Sequence, residues 1–261
     1  MDFDKILETI VNEANALVPN ANTYKLDGLS QIDYLTNEFS KNEHSLKVII
    51  DFSKFKLLAV SDNLETLTGY TKADYETYNI LIFLRAIRIE HIFFPVVITQ
   101  WTFSMFKNMP SNTDFWAGRT HICGINLKVK NGQESRVLIR SMPLQLADNG
   151  FPSICIISFD FVTHLLKSNG HWWARIHYGE NNPHKFHILS SDKKHQYQDI
   201  LSEREKDVLK LVAEGMESKE IAQKLFISTN TVDNHRRNAI LRTGARDTTA
   251  LIQLCKMCGI F

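Results

Sequence analysis

Residues 201–242 read LSEREKDVLKLVAEGMESKEIAQKLFISTNTVDNHRRNAILR, and this stretch decides the fold of the C-terminal part of the chain. Ser202, followed by Glu205 three residues on, is a capping box with the apolar Leu201 ahead of it. Val208, Leu211 and Val212 then share one helical face, and Gly215 supplies a left-handed stop. Ser218 is the expected cap of a second, short helix whose Ile221, Ala222 and Leu225 point inward. Phe226, Ile227 and Ser228 form a tight turn, and Ser228 caps a third helix.

The third helix has two faces. Val232, Ala239 and Ile240 recur at helical spacing and can rest on the first two helices. Asn230, Asp233, Asn234 and Arg237 lie on another stripe, at steps of three and four. Amide and guanidinium groups so placed suit base edges in a major groove: Asn pairs with adenine, Arg with guanine, and a carboxylate accepts from cytosine. Helix, short turn and polar-faced helix make a helix-turn-helix.

Leu201, Ser202, Glu205, Val208, Leu209, Gly215, Ser218, Ile221, Ala222, Leu225, Ser228, Thr231, Val232 and His235 together resemble the LuxR/GerE-type DNA-binding domain. The resemblance runs from about Leu201 to the C-terminus, and several anchored positions agree in order and spacing. It implies a four-helix, DNA-binding transcription regulator whose last helix often forms a dimer contact. Asp247 as N-cap, with Leu251, Ile252, Leu254 and Cys255, supplies that helix here. Carried over by position, Asp233, Asn234 and Arg237 face bases, joined by Asn230 from the stripe. By the same carry-over Lys219, Thr231 and His235 sit near phosphates, and Thr229 and Arg236 are further phosphate candidates. The family often carries Lys where this chain has Asp233, so base preference does not transfer.

Between Lys219 and Arg246, six basic side chains (Lys219, Lys224, Arg236, Arg237, Arg242, Arg246) stand against Glu220 and Asp233. A local excess of about four positive charges suits salt-dependent anchoring on phosphates. The whole chain, at a formal +1, carries no such signal. The alternative is a helical protein-interaction module that meets polymerase or another regulator and has no DNA specificity of its own.

The 261 residues allow two domains, and 44% hydrophobic with 23% charged residues is ordinary globular composition. The acidic start at Met1 to Asp4 is unlike a signal peptide, and the apolar run 80–98 is broken by Arg85, Arg88, Glu90, His91 and Pro95. Four cysteines in this length suggest no disulfide framework. Cytoplasmic location, with no membrane partner, is the expectation.

Residues 1–18 read as an amphipathic helix ended by Pro19. Lys47 to Asp51 and Leu57 to Val60 read as strands, and Ser61, Asp62 and Asn63 open a short helix closed by Gly69. Three more strands follow at Arg119 to Lys130, Glu134 to Leu146 and Ser153 to Leu165, with Asn131-Gly132 turning between the first two. Two short strands and the run SDNLETLTGYTKADY (61–75) resemble the opening of a PAS domain. The order of two strands, helices and three antiparallel strands is the PAS order. The resemblance implies a cleft between sheet and helices that can take a small-molecule ligand. Trp101, Phe103, Phe106, Phe115 and Trp116 are candidate lining or plain core.

No cofactor is implied. His91 is a lone histidine among apolar residues, and no flavin-linking cysteine motif is present. Residues 167–198 are histidine-rich, with short strands expected near Trp172 to Tyr178 and Phe186 to Leu189. Neither the His184 and His187 pair nor the Cys255 and Cys258 pair has the companions a metal site needs. Catalytic signatures are absent: no P-loop, no G-x-S-x-G, no H-E-x-x-H, no kinase set.

The expectation is an α+β chain, non-enzymatic, with a connector over 1–45, a PAS-like antiparallel sheet with helices over 46–166, a linker or accessory hairpin over 167–198, and an all-α LuxR-type helix-turn-helix domain over 199–261. Its expected partners are double-stranded DNA and a second copy of the chain, with RNA polymerase and a small molecule as further candidates.

Overall fold

A computed structural model of the chain describes residues 44–54, 56–78, 81–87, 119–146, 152–167, 172–177, 185–188 and 200–261. The expected helix over 1–18, His91, the aromatic side chains from Trp101 to Trp116, and His171, His184 and His195 lie outside the described residues.

The N-terminal part is antiparallel. Strand β1 (Ser45–Asp51) pairs with β2 (Lys56–Val60), with a register shift at Ile49/Ile50. Helices α1 (Leu64–Thr68), α2 (Lys72–Tyr78) and α3 (Leu81–Ala86) follow, then β3 (Arg119–Lys128), β4 (Glu134–Leu146) and β5 (Pro152–Phe161). In the sheet, β2-β1-β5-β4-β3 are neighbours in that order. The chain's first strand is thus central, between β2 and β5, and all seven of its residues are buried.

Local chemistry explains the elements that follow β2. Ser61 Oγ accepts from Lys47 N at 3.0 Å and donates to Asn63 Oδ1 at 2.7 Å, while Asn63 Nδ2 donates to Ser45 O at 3.0 Å. This short polar turn is stitched to β1 and launches α1. Gly69 ends α1 at φ +72°, where a Cβ would lie 3.2 Å from the Cβ of Lys130. Glycine meets both the backbone and the space requirement.

On one face of the sheet, Ile49, Ile154 and Ile156 form a cluster with Leu58, Ala59, Met142 and Leu144. On the other, Phe83 of α3 stacks on Phe159 of β5 (centroids 4.9 Å apart), and Tyr75 of α2 meets Phe83 edge-on at 5.5 Å. Leu46, Thr68, Tyr70, Tyr75, Ile82 and Phe83 border an apolar cavity there. Asp160, buried in β5, takes two bonds from Arg140 of β4, at 2.6 and 3.0 Å.

Two strand ends fall short of expectation. β3 stops at Lys128 because the turn begins there: Val129 N donates to Gln133 O and Gly132 N to Val129 O. β5 stops at Phe161 because Leu165 N donates to Val162 O, closing a turn. Short strands β6 (Trp173–His177) and β7 (Lys185–Ile188) come next.

The C-terminal part is helical: α4 (Glu203–Ala213), α5 (Ser218–Leu225), α6 (Thr229–Thr243) and α7 (Thr248–Met257). The chain divides into two compact units, and Val162–Arg175 belongs with the C-terminal helices. Leu166 bridges to Ala245, Lys167 N donates to Gly244 O at 2.9 Å, and Arg246 donates to Leu165 O and Leu166 O. Trp173 Nε1 donates to Thr243 O at 3.2 Å, and Arg175 donates to Cys258 O. Val162, Leu165, Leu166, Trp173 and Arg175 are all buried.

All four cysteines are buried. Burial pushes the Cys155 thiol up to about 12. Among the described residues, no group of His, Cys, Asp or Glu is arranged to hold a metal ion, and no helix is long and apolar enough to cross a membrane.

Candidate nucleic-acid interface

The frame of the site is α4. Ser202 Oγ accepts from Glu205 N, and Glu205 Oε2 accepts from Ser202 N at 2.8 Å, which completes the capping box. The other oxygen of Glu205, a residue 1% exposed, takes Arg242 Nη2 of α6 at 2.6 Å. One carboxylate therefore closes α4 and ties it to α6. Val208 and Leu211 of α4, Ile221 and Ala222 of α5 and Val232 of α6 make the common core.

The start of α5 differs from expectation. Glu217, not Ser218, is the N-cap, and Glu217 N donates to Glu220 Oε2 at 2.8 Å. Ser218 is the first helical residue, which leaves its hydroxyl free of capping. That hydroxyl donates to Asp233 Oδ1 at 2.9 Å and accepts from Arg236 Nη1 at 3.0 Å. At the other end, Arg204 Nη2 donates to Leu225 O at 2.8 Å, and Phe226 turns the chain at φ +54° with its side chain 95% exposed. Ser228 then accepts from Thr231 N at 3.1 Å and starts α6.

α6 presents Asn230, Asp233, Asn234 and Arg237 to solvent. Asn230, Asn234 and Arg237 are at steps of four and three, so at about 100° per residue they share an arc of roughly 60°. Asp233 sits beside that arc and Arg236 further round. Arg236 also donates from Nη2 to Thr248 Oγ1 at 3.1 Å, and its Nη1 is 3.6 Å from Asp233 Oδ1.

Among the phosphate candidates, Lys219 and Thr229 are exposed. Thr231 and His235 are half-buried, and the Thr231 hydroxyl shares a hydrogen bond with Ser228 Oγ at 2.8 Å. Arg242 and Arg246, counted in the basic excess, are both tied to protein groups: Arg242 to Glu205 and Ile200 O, Arg246 to Leu166 O. Lys224 is 4.0 Å from Glu214. Formal charge thus overstates what the surface offers. Lys219 and Arg237 are the exposed cations of this stretch that no protein acceptor holds, among the described residues.

The fourth helix is capped by Asp247, which accepts from Ala250 N at 2.8 Å, and Leu251, Leu254 and Cys255 are buried. The capped frame, a turn of three residues and an exposed amide-guanidinium stripe complete a helix-turn-helix. Residues 199–255 match the luxR family of bacterial regulatory proteins.

The oxygen regulatory protein NreC of Staphylococcus aureus is 41% identical over 54 residues, which is 21% of this chain and 25% of that protein. The chain thus spans about a quarter of the length of the curated relatives it matches. Among solved structures, the Vibrio cholerae VqmA-ligand-DNA complex is 15% identical, with 89% of each chain covered and a TM-score of 0.32. The N-terminal domain of a Marinobacter aquaeolei diguanylate cyclase with PAS/PAC sensor covers 46% of this chain and 96% of its own, at 8% identity and a TM-score of 0.35. TM-scores of this size do not establish a shared fold. The luxR-type match is confined to the helical segment, where Ser202, Glu205, Gly215, Ser228 and Val232 hold the geometry described above.

Sequence reading did not find the tie from Glu205 to Arg242, the Arg204 bond to Leu225, or the docking of Val162–Arg175. Each joins residues too far apart in the chain for a local pattern to signal it.

Proposed function

We propose that this chain is a sequence-specific DNA-binding regulator of transcription, in which a PAS-like sensor domain over 46–166 governs a LuxR-type domain over 199–261. The observation that carries the reading is the exposed stripe of Asn230, Asn234 and Arg237 on a well-capped α6, within the segment that matches the luxR family. Such side chains offer bidentate partners for adenine and guanine edges. Lys219, exposed at the start of α5, is the phosphate contact this reading assigns.

The sensor reading is supported by the chain order of two strands, helices and three antiparallel strands, with the last strand inserted beside the first. The apolar cavity between Leu46, Tyr75 and Phe83 is about 20 Å³, room for a water, so a small molecule seated there would have to part the helices from the sheet. A signal acts by binding one arrangement of the sensor better than another, which shifts the population competent for DNA. Two copies of the chain place two α6 helices in major grooves about one helical turn apart, so the preferred site is roughly symmetric. This reading assigns the chain no catalysis, keeps it in the cytoplasm with its DNA, and leaves RNA polymerase as the partner that activation would require.

Binding of the full-length protein to a randomised DNA pool over a salt series tests the proposal. The expected outcome is enrichment of one symmetric sequence, with affinity falling as salt rises. Equal retention of all sequences would favour a protein-interaction module instead.

A further inference from the structure

Position 233 carries an acidic residue on a helix that faces a polyanion, an arrangement that costs affinity unless the charge is used elsewhere. We infer that Asp233 and Arg236 do not touch DNA but act together as a clamp that sets α6, leaving Asn230, Asn234 and Arg237 to read the sequence. The inference rests on the DNA-binding reading above and assigns its division of labour.

The geometry of one guanidinium carries the argument. Arg236 Nη1 donates to Ser218 Oγ at 3.0 Å and Nη2 to Thr248 Oγ1 at 3.1 Å. Ser218 is the first residue of α5 and Thr248 the first of α7, so Arg236 fastens α6 to the start of each neighbour. Asp233 completes the set: its Oδ1 accepts from Ser218 Oγ at 2.9 Å and lies 3.6 Å from Arg236 Nη1. The Arg236 side chain is 32% exposed, so most of it is covered by protein. A planar fork suits two hydroxyls held at fixed positions, which a single ammonium cannot copy.

Charge accounting points the same way. If Arg236 turned to a phosphate, it would give up both hydroxyls and leave Asp233 as an uncompensated carboxylate beside the DNA backbone. Held as a clamp, the pair is neutral and releases no counterions on binding. Ser218 also gains a reason to stand one place inside the helix: as the N-cap, its hydroxyl would be spent on the backbone of its own helix.

The test uses full-length protein and the variants Arg236→Ala, Arg236→Lys and Asp233→Asn. Affinities for the sequence selected by the wild type and for random DNA are measured over a salt series, with the thermal midpoint of each variant alongside. The clamp predicts that Arg236→Ala narrows the preference for selected over random DNA by about tenfold or more while the salt slope stays unchanged. It predicts that Arg236→Lys, which keeps the charge, does not restore that preference, and that Asp233→Asn selects the same sequence as the wild type. A phosphate contact predicts the reverse for Arg236: the slope falls by about one in the alanine variant and returns in the lysine variant. That result overturns the inference, as does an unchanged preference in Arg236→Ala. A new base preference at one position in Asp233→Asn also overturns it, by making Asp233 a reader. Should Arg236→Ala fail to fold, the lysine and asparagine variants decide. A wild-type chain that selects no sequence at all defeats the DNA-binding reading itself, an outcome distinct from all of these.

Discussion

Arg237 and Phe226 are the two exposed side chains of the helix-turn-helix whose replacement should act in opposite ways. Arg237 points away from the domain core and meets no protein acceptor among the described residues, so its loss should leave folding intact. Arg237→Ala is expected to cost about 1–3 kcal/mol on the selected sequence and to relax the preference at one base pair. Competition binding with site variants checks this, and equal weakening on every sequence would move Arg237 to the phosphates. Phe226 holds a left-handed conformation, φ +54°, with 95% of its surface in water. A β-carbon costs energy in that region and the ring gains little burial in return. Phe226→Gly should therefore raise the stability of the helical domain by about 1 kcal/mol, read as a higher unfolding midpoint. A fall instead would show that the ring has a packing role.

The N-terminus of α2 illustrates how one short element joins another through a titratable group. Asp74 Oδ2 accepts from Thr71 N at 2.7 Å and from Thr71 Oγ1 at 2.8 Å, and Asp74 N donates back to Thr71 Oγ1. Lys130, in the turn after β3, donates to the same oxygen at 2.8 Å. The lysine bond, followed by those from Thr71, holds the Asp74 carboxyl at about 2, below its ordinary 3.8. A carboxyl depressed in the folded state stabilises above the unfolded value, and that contribution disappears as pH falls through the folded value. The link between α2 and the β3–β4 turn should therefore weaken between about pH 4 and pH 2. Asp74→Asn should flatten the acid limb of the thermal midpoint over that window. An identical slope in the variant would place the acid sensitivity in another group.

At the scale of the molecule, the helical domain is larger than the segment that matches the luxR family. Val162–Arg175 follows directly on β5 and is bound into the corner between α6 and α7. Leu165, Leu166 and Trp173 bring apolar surface to that corner, and the Trp173 indole donates to the carbonyl of Thr243, the last residue of α6. Trp173→Ala in the full-length chain should cost about 3–5 kcal/mol, as for other buried aromatic truncations. The loss should appear as faster amide exchange at the C-terminal end of α6, well outside the mutated segment. Unchanged exchange there would show that the two pieces are energetically separate.

Much of the helical domain was legible from side chains within four residues of one another. Ser202 with Glu205, Gly215, Ser228 with Thr231 and Asp247 with Ala250 are local hydrogen-bonding or backbone choices, and the apolar spacing between them specifies which faces meet. The strands were legible for the same reason, apart from ends set by turns at Val129 and Val162. Whether a polar side chain on α6 stays open to solvent or meets a neighbouring helix was not legible, because that depends on where α5 and α7 come to rest. Asp233, Arg236, Arg242 and Arg246 read alike as surface charge along the chain, yet in the fold each has a fixed protein partner. Sequence alone determined the elements, their buried faces and the caps of α4, α6 and α7, though not that of α5, since those follow from interactions within one or two helical turns. The tertiary structure decided which charges remain for a partner, since that depends on contacts between residues as far apart as Ser218 and Arg236, Glu205 and Arg242, or Trp173 and Thr243.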